Sequence, residues 1–139
     1  MECRSEDGIW LIRLEKGEKV REQLALFAKE YAIKGGTVSA IGAFEWVELA
    51  YFDEEAEAYR NKTFSGGLEV LTLNGNLSQL EEGEPMVHLH ATLGRDDYSV
   101  IGGHLNEGLV SVTLETFIVP TAAIKRNVPF GPFKLWQLK

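Results

Sequence analysis

Cysteine is nearly absent: Cys3 is the only one in the chain. That excludes an intrachain disulfide and any Cys-x-x-Cys site. Basic residues are also in short supply. Fourteen Lys and Arg stand against 21 Asp and Glu, a formal net charge of −7, and no dense basic run gathers the positive charge. An acidic surface repels a phosphate backbone, so DNA is disfavoured as a partner. Long apolar runs are missing as well. No stretch approaches the roughly 20 apolar residues of a membrane-spanning helix. The apolar-rich stretch that follows the charged segment Met1–Gly8 breaks at Arg13, too soon for the core of a secretion signal. A cytoplasmic protein with no membrane partner is therefore expected. No linker, repeat or low-complexity segment divides the chain. What remains, 139 residues of which 45% are apolar and 10% aromatic, suffices for a core and suggests one domain over 1–139.

Periodicity divides this material unevenly. From Glu18 onward, Val20, Leu24, Phe27, Ala28 and Tyr31 recur at spacings of three and four. This is the stripe of an amphipathic helix, expected to stop at Gly35-Gly36. Elsewhere the pattern reads as strands: Ile9–Leu14, Thr37–Ile41, Glu45–Phe52, Leu68–Leu73, Met86–Leu93, Ser99–Leu105 and Leu109–Val119. Turns are expected near Gly42, at Asn74-Gly75, at Gly94–Asp97 and at Asn106-Glu107-Gly108, with acidic loops at Asp53–Glu57 and Glu81–Pro85. Thr121–Arg126 reads as a helical turn and Phe130–Leu138 as a last strand. One long helix near the N-terminus among many short strands argues for an α+β domain built on mostly antiparallel, barrel-like sheet.

The chain holds three histidines, all between positions 88 and 104. In Val87-His88-Leu89-His90-Ala91 the alternation is clean, and strand side chains have a period of two. His88 and His90 thus share one face while Val87, Leu89 and Ala91 share the other. A turn at Gly94–Asp97 would return the chain alongside, where Gly102-Gly103-His104 offers a third imidazole and the glycines leave space. Three neutral imidazoles suit Zn²⁺, Ni²⁺, Cu²⁺ or Fe²⁺. With three protein ligands, zinc keeps a fourth position open. Glu115, in Ser111-Val112-Thr113-Leu114-Glu115, lies on the polar face of the next strand. It is the candidate catalytic residue, as a base or as a group orienting an imidazole. Arg95, Lys125 and Arg126 are candidates to neutralise an anionic ligand. The plainer alternatives are a solvated polar strand face for His88 and His90, a hydrogen-bonded core histidine at position 104, and a cross-strand partner in Glu115.

Three blocks carry a resemblance: Leu68–Ser78 (LEVLTLNGNLS), His88–Gly94 (HLHATLG) and Gly102-Gly103-His104-Leu105. With the helix after Gly17 and the Ile41-Gly42-Ala43 step, they resemble the PPC domain family in its prokaryotic stand-alone form, from about Ile12 to the C-terminus. The resemblance implies a homotrimer. Its fold is similar to that of acetolactate decarboxylase, whose metal sits on a His-x-His pair plus a later His. That pattern falls on His88, His90 and His104, and the decarboxylase's other active-site residues find no placement here. Plant members of the family add a DNA-binding AT-hook, and prokaryotic members carry DNA-binding labels by analogy. No Arg-Gly-Arg-Pro hook occurs in this chain. Cupins also use His-x-His, with a Glu close behind, but Ala91-Thr92-Leu93-Gly94 follows here. The leading expectation is a zinc-binding homotrimer that recognises or transforms a small anionic ligand. Two alternatives stand beside it: a DNA-associated protein, and a trimeric interaction module with a structural metal.

Overall fold

The computed structural model describes residues 1–138. Its elements in chain order are β1 (Glu2–Glu6), β2 (Ile9–Glu15), α1 (Val20–Glu30), β3 (Gly36–Asp53), β4 (Ala58–Leu80), β5 (Pro85–Gly94), β6 (Val100–Pro120), β7 (Lys125–Phe130) and β8 (Phe133–Gln137). This is the expected α+β architecture, and all but one of the strand pairings are antiparallel. Strand β3 pairs with β4, β4 with β5, β5 with β6, and β6 back with β3. These four strands close a circuit, so the sheet is partly ring-like rather than a full barrel.

Helix α1 forms where the stripe predicts and buries Val20, Leu24, Phe27 and Ala28 against the sheet. Full burial of such side chains contributes about 1.5–3 kcal/mol each. Lys19, at the N-cap, offers no side-chain oxygen. The orphan amides are met instead by the Glu107 carboxylate on β6, which accepts from Arg21 N at 2.8 Å and Glu22 N at 3.3 Å. The helix ends at Glu30, before the expected glycine stop. Ala32 takes φ +52° and Ile33 N–H donates to Ala28 O at 2.9 Å, a Schellman-type closure without glycine. Gly35 serves another purpose. A Cβ there would run into the Ala122 carbonyl oxygen.

Two expected turns prove to be strand interior. The halves Thr37–Ile41 and Glu45–Phe52 belong to one strand, β3, and the step at Gly42 is a bulge. Likewise Asn106-Glu107-Gly108 lies within β6, where the register shifts between Glu48 and Leu49 of the partner strand. A bulge lets a long strand bend while keeping its partners, which is how β3 and β6 wrap the circuit. Asn74-Gly75 is no hairpin either. Gly75 lies mid-strand opposite Leu89, and a Cβ on it would strike the His88 carbonyl oxygen. Here glycine permits close strand approach instead of a turn.

The ends hold a strand that the sequence reading did not mark and one corrected expectation. Cys3 lies in β1, which pairs with β2 although its charged sequence carries no apolar alternation. The helical turn expected over Thr121–Arg126 is absent. Ile124 O accepts from Gln79 N at 2.8 Å, and β7 then runs parallel to the end of β4, Gln79 opposite Lys125 and Leu80 opposite Arg126. Strand β8 folds back on β7 as a hairpin. The core lies between α1 and the sheet, with Phe27, Phe44, Leu14, Leu73, Leu89 and Leu105 fully enclosed. No helix among the described residues is long and apolar enough to cross a membrane.

Candidate metal centre

Strand β5 builds the centre by alternation. Val87, Leu89, Ala91 and Leu93 are all at most 3% exposed and turn His88 and His90 to the opposite face. The tight turn carrying the Arg95 N–H to Ser99 O bond at 2.9 Å returns the chain as β6, and His104 lands directly opposite His90. The three imidazoles form a nearly equilateral triangle, with ring centroids 5.2 Å apart for His88–His90, 5.1 Å for His88–His104 and 5.4 Å for His90–His104. One nitrogen from each ring lies within 4.8 Å of the others. Around a tetrahedral ion with Zn–N bonds of about 2.0–2.1 Å, such nitrogens stand about 3.3 Å apart, so modest ring rotations close the site.

Electrostatics keep two of the rings ready for ligation. Burial, helped by His104, Arg126, His90 and Arg21, pushes His88 down to about 4. Burial, with His90 and Arg21, also pushes His104 down to about 4. Both are neutral at pH 7, the form that binds metals. His104 Nδ1 is buried and finds no hydrogen-bond partner among the described residues. Such a nitrogen is costly to bury alone. These residues therefore fit a first-row divalent metal. They supply three convergent imidazoles, two of them neutral, one with an unsatisfied nitrogen.

A cavity of about 540 Å³ opens onto the triangle, walled also by Tyr59, Met86, Arg126 and Phe133. The Tyr59 ring lies 5.4 Å from that of His104. Of the three basic candidates, only Arg126 reaches the cavity. Its Nε donates to Ser78 Oγ at 2.9 Å, Nη1 to Lys134 O at 3.3 Å, and Nη2 to Asn76 Oδ1 at 3.0 Å and His88 Nδ1 at 3.1 Å. Arg95 lies instead over the Phe64 ring, and Lys125 is exposed on β7. Glu115 is not brought to the histidines. It sits on β6 eleven residues beyond His104, a contour of about 36 Å at strand rise. There it is exposed, opposite Arg13 and Ile41. The face it occupies, shared with exposed Phe117 and Val119, belongs to the outer surface of the sheet.

Sequence reasoning missed Tyr59 and the wall from the β7–β8 hairpin. No local signal marks Tyr59, which follows an acidic loop. Strand β7 is recruited by a parallel pairing that no neighbouring residues announce.

The model of the Plants and Prokaryotes Conserved (PCC) domain matches residues 1–122. A metal-containing protein from Archaeoglobus fulgidus is 32% identical, with a TM-score of 0.85 over 98% of this chain and 96% of that one. A Bacteroides thetaiotaomicron protein, provisionally described as DNA-binding, is 28% identical with a TM-score of 0.92 over 98% and 96%. Acetolactate decarboxylase from Bacillus subtilis is similar in fold alone: 15% identity, TM-score 0.59, 81% of this chain and 52% of that one. None of the curated proteins matches the sequence.

Proposed function

The chain belongs to the Plants and Prokaryotes Conserved (PCC) domain family, and from that premise we propose that it binds zinc through His88, His90 and His104 to recognise a small anionic ligand. The observation that carries this reading is the convergence of three imidazole nitrogens within 4.8 Å at the floor of a cavity. The 32% identical relative described as metal-containing supports it. Three protein ligands leave a coordination position free, and a bound zinc supplies Lewis acidity there toward an oxygen-bearing ligand. The chain's own residues do the rest. Burial holds His88 and His104 neutral, Arg126 provides fixed positive charge, and Phe133 and Tyr59 wall the cavity.

The test is metal content per chain, measured by elemental mass spectrometry on untagged protein. Near-stoichiometric zinc in the wild type, lost in His88→Ala/His90→Ala, is the expected result. Metal absent from both after reconstitution removes the reading.

The working form in this proposal is a homotrimer. Ile41, Leu71, Val112 and Phe117, on β3, β4 and β6, are 50–72% exposed on the outer face. Exposed large apolar side chains gathered on one sheet surface are a feature of interfaces. A single chain in sedimentation equilibrium refutes the trimer. DNA association is the second reading, favoured by the provisional description of the Bacteroides protein and opposed by the net charge of −7. It requires a gel shift that weakens steeply with salt, and no shift at low salt ends it.

A further inference from the structure

The contact between Arg126 and His88 has a consequence for any metal bound there. A guanidinium has no acceptor, so in the 3.1 Å contact Arg126 Nη2 donates and His88 Nδ1 accepts. The ring proton of neutral His88 is therefore on Nε2. A neutral imidazole that ligates a metal through one nitrogen carries its proton on the other. With His88 as a ligand, Nδ1 holds either the metal or the proton, and in neither case can it accept from Arg126. Metal loading breaks this hydrogen bond. The guanidinium nonetheless keeps its place, since Ser78 Oγ, Asn76 Oδ1 and Lys134 O still hold it. One N–H of Nη2 is left facing His88, within the triad's cavity, without an acceptor.

We infer that this released N–H and the metal together form a receptor for a monocarboxylate with an apolar body, and that metal and carboxylate bind cooperatively. The inference rests on the zinc-site reading and names its ligand class. A carboxylate has two oxygens to share between a cation and an N–H donor. A phosphate dianion has no apolar body to fill the remainder of the cavity. Apart from Lys134 and Tyr59, the rest of the lining is apolar: Phe133, seated against Phe52 at 4.7 Å, with Leu80, Met86, Pro132 and Leu135. Its volume of about 540 Å³ admits a compact aromatic or branched tail. Arg126 and Phe133 lie on the C-terminal β7–β8 hairpin, beyond the 1–122 match to the family.

The test uses metal-free and zinc-loaded whole protein, with 3-phenylpropanoate, acetate and inorganic phosphate as probes in titration calorimetry. Zinc affinity is read separately by competition with a chromophoric chelator. In the wild type, zinc is expected to tighten 3-phenylpropanoate at least about tenfold, and 3-phenylpropanoate to tighten zinc by the same factor. Arg126→Met separates the two events. It removes the group competing for His88, so zinc binds about fivefold tighter, as loss of a hydrogen bond of about 1 kcal/mol implies, while 3-phenylpropanoate binding is lost. Phe133→Ala weakens 3-phenylpropanoate far more than acetate. The outcomes are distinguishable. No zinc uptake overturns both the site and this inference. Zinc uptake without coupling in the wild type, or with phosphate preferred, overturns the inference alone.

Discussion

Metal-free protein is expected to lose stability steeply as pH falls from 7 to 4, because His88 and His104 are held near 4. Unfolded histidine titrates near 6.5. Between these values the unfolded chain takes up protons that the folded chain refuses, so stability falls as pH drops through that window. It is fully present above about pH 6.5, and the loss from these two groups levels off below about pH 4. The fall from 6.5 to about 4 corresponds to about 3.4 kcal/mol per group. Both rings are only half-buried, and solvent screening roughly halves that figure to about 1.5 kcal/mol each. The pair therefore costs about 3 kcal/mol across the window. Urea unfolding at half-unit pH steps, with chelator present, measures this directly. Carboxylates titrate in the lower part of the same range, so the informative quantity is the wild type minus His88→Asn/His104→Asn. A difference that stays flat from pH 7 to 4 would show that the imidazoles are not held neutral by their surroundings. Saturating zinc should steepen the wild-type slope, since ligation requires deprotonated rings.

Four other outcomes are expected. Zinc per chain should fall from near one to near zero in His88→Ala/His90→Ala, by elemental mass spectrometry. Gly75→Ala forces β4 and β5 apart at the His88 carbonyl. It should cost at least about 2 kcal/mol in urea unfolding, as overpacking of this kind does, and lower zinc occupancy with it. Glu107→Ala strips the cap from α1 and should lower unfolding free energy by about 1 kcal/mol, with zinc stoichiometry unchanged. Phe117→Asp places a charge on the exposed apolar face and should shift sedimentation equilibrium from trimer to monomer.

The centre was legible because its geometry is local. The alternation of Val87 through Ala91 fixes the histidine face, and one short turn sets His104 beside His90. The fold around it was legible in class but not in connectivity. Gly42, Asn74-Gly75 and Asn106-Gly108 carry strong turn chemistry, yet each sits inside a strand whose partners, distant in sequence, override the local preference. The docking of the β7–β8 hairpin onto the sheet depends on such a partner, β4. Glu115 shows the same limit from another side. Strand parity gives the face a residue occupies, but bulges and a long strand separate that face from the histidines. Arg126 could be nominated by its charge, and only the tertiary pairing of β7 with β4 picks it out from Arg95 and Lys125.

The position of the ligands along the chain also bears on how the protein is assembled. His88, His90 and His104 all belong to the β5–β6 hairpin, whereas β3 must find its partner from Gly36 to Pro120. Hairpins form in about 1–10 μs, and pairings across long sequence separations are slow because loop-closure entropy opposes them. The three imidazoles are thus gathered within a hairpin of the fast-forming kind, whereas the circuit that encloses them needs long-range pairing. A metal bound by these three imidazoles would fasten β5 to β6, and on this ordering it would act on folding before the circuit closes.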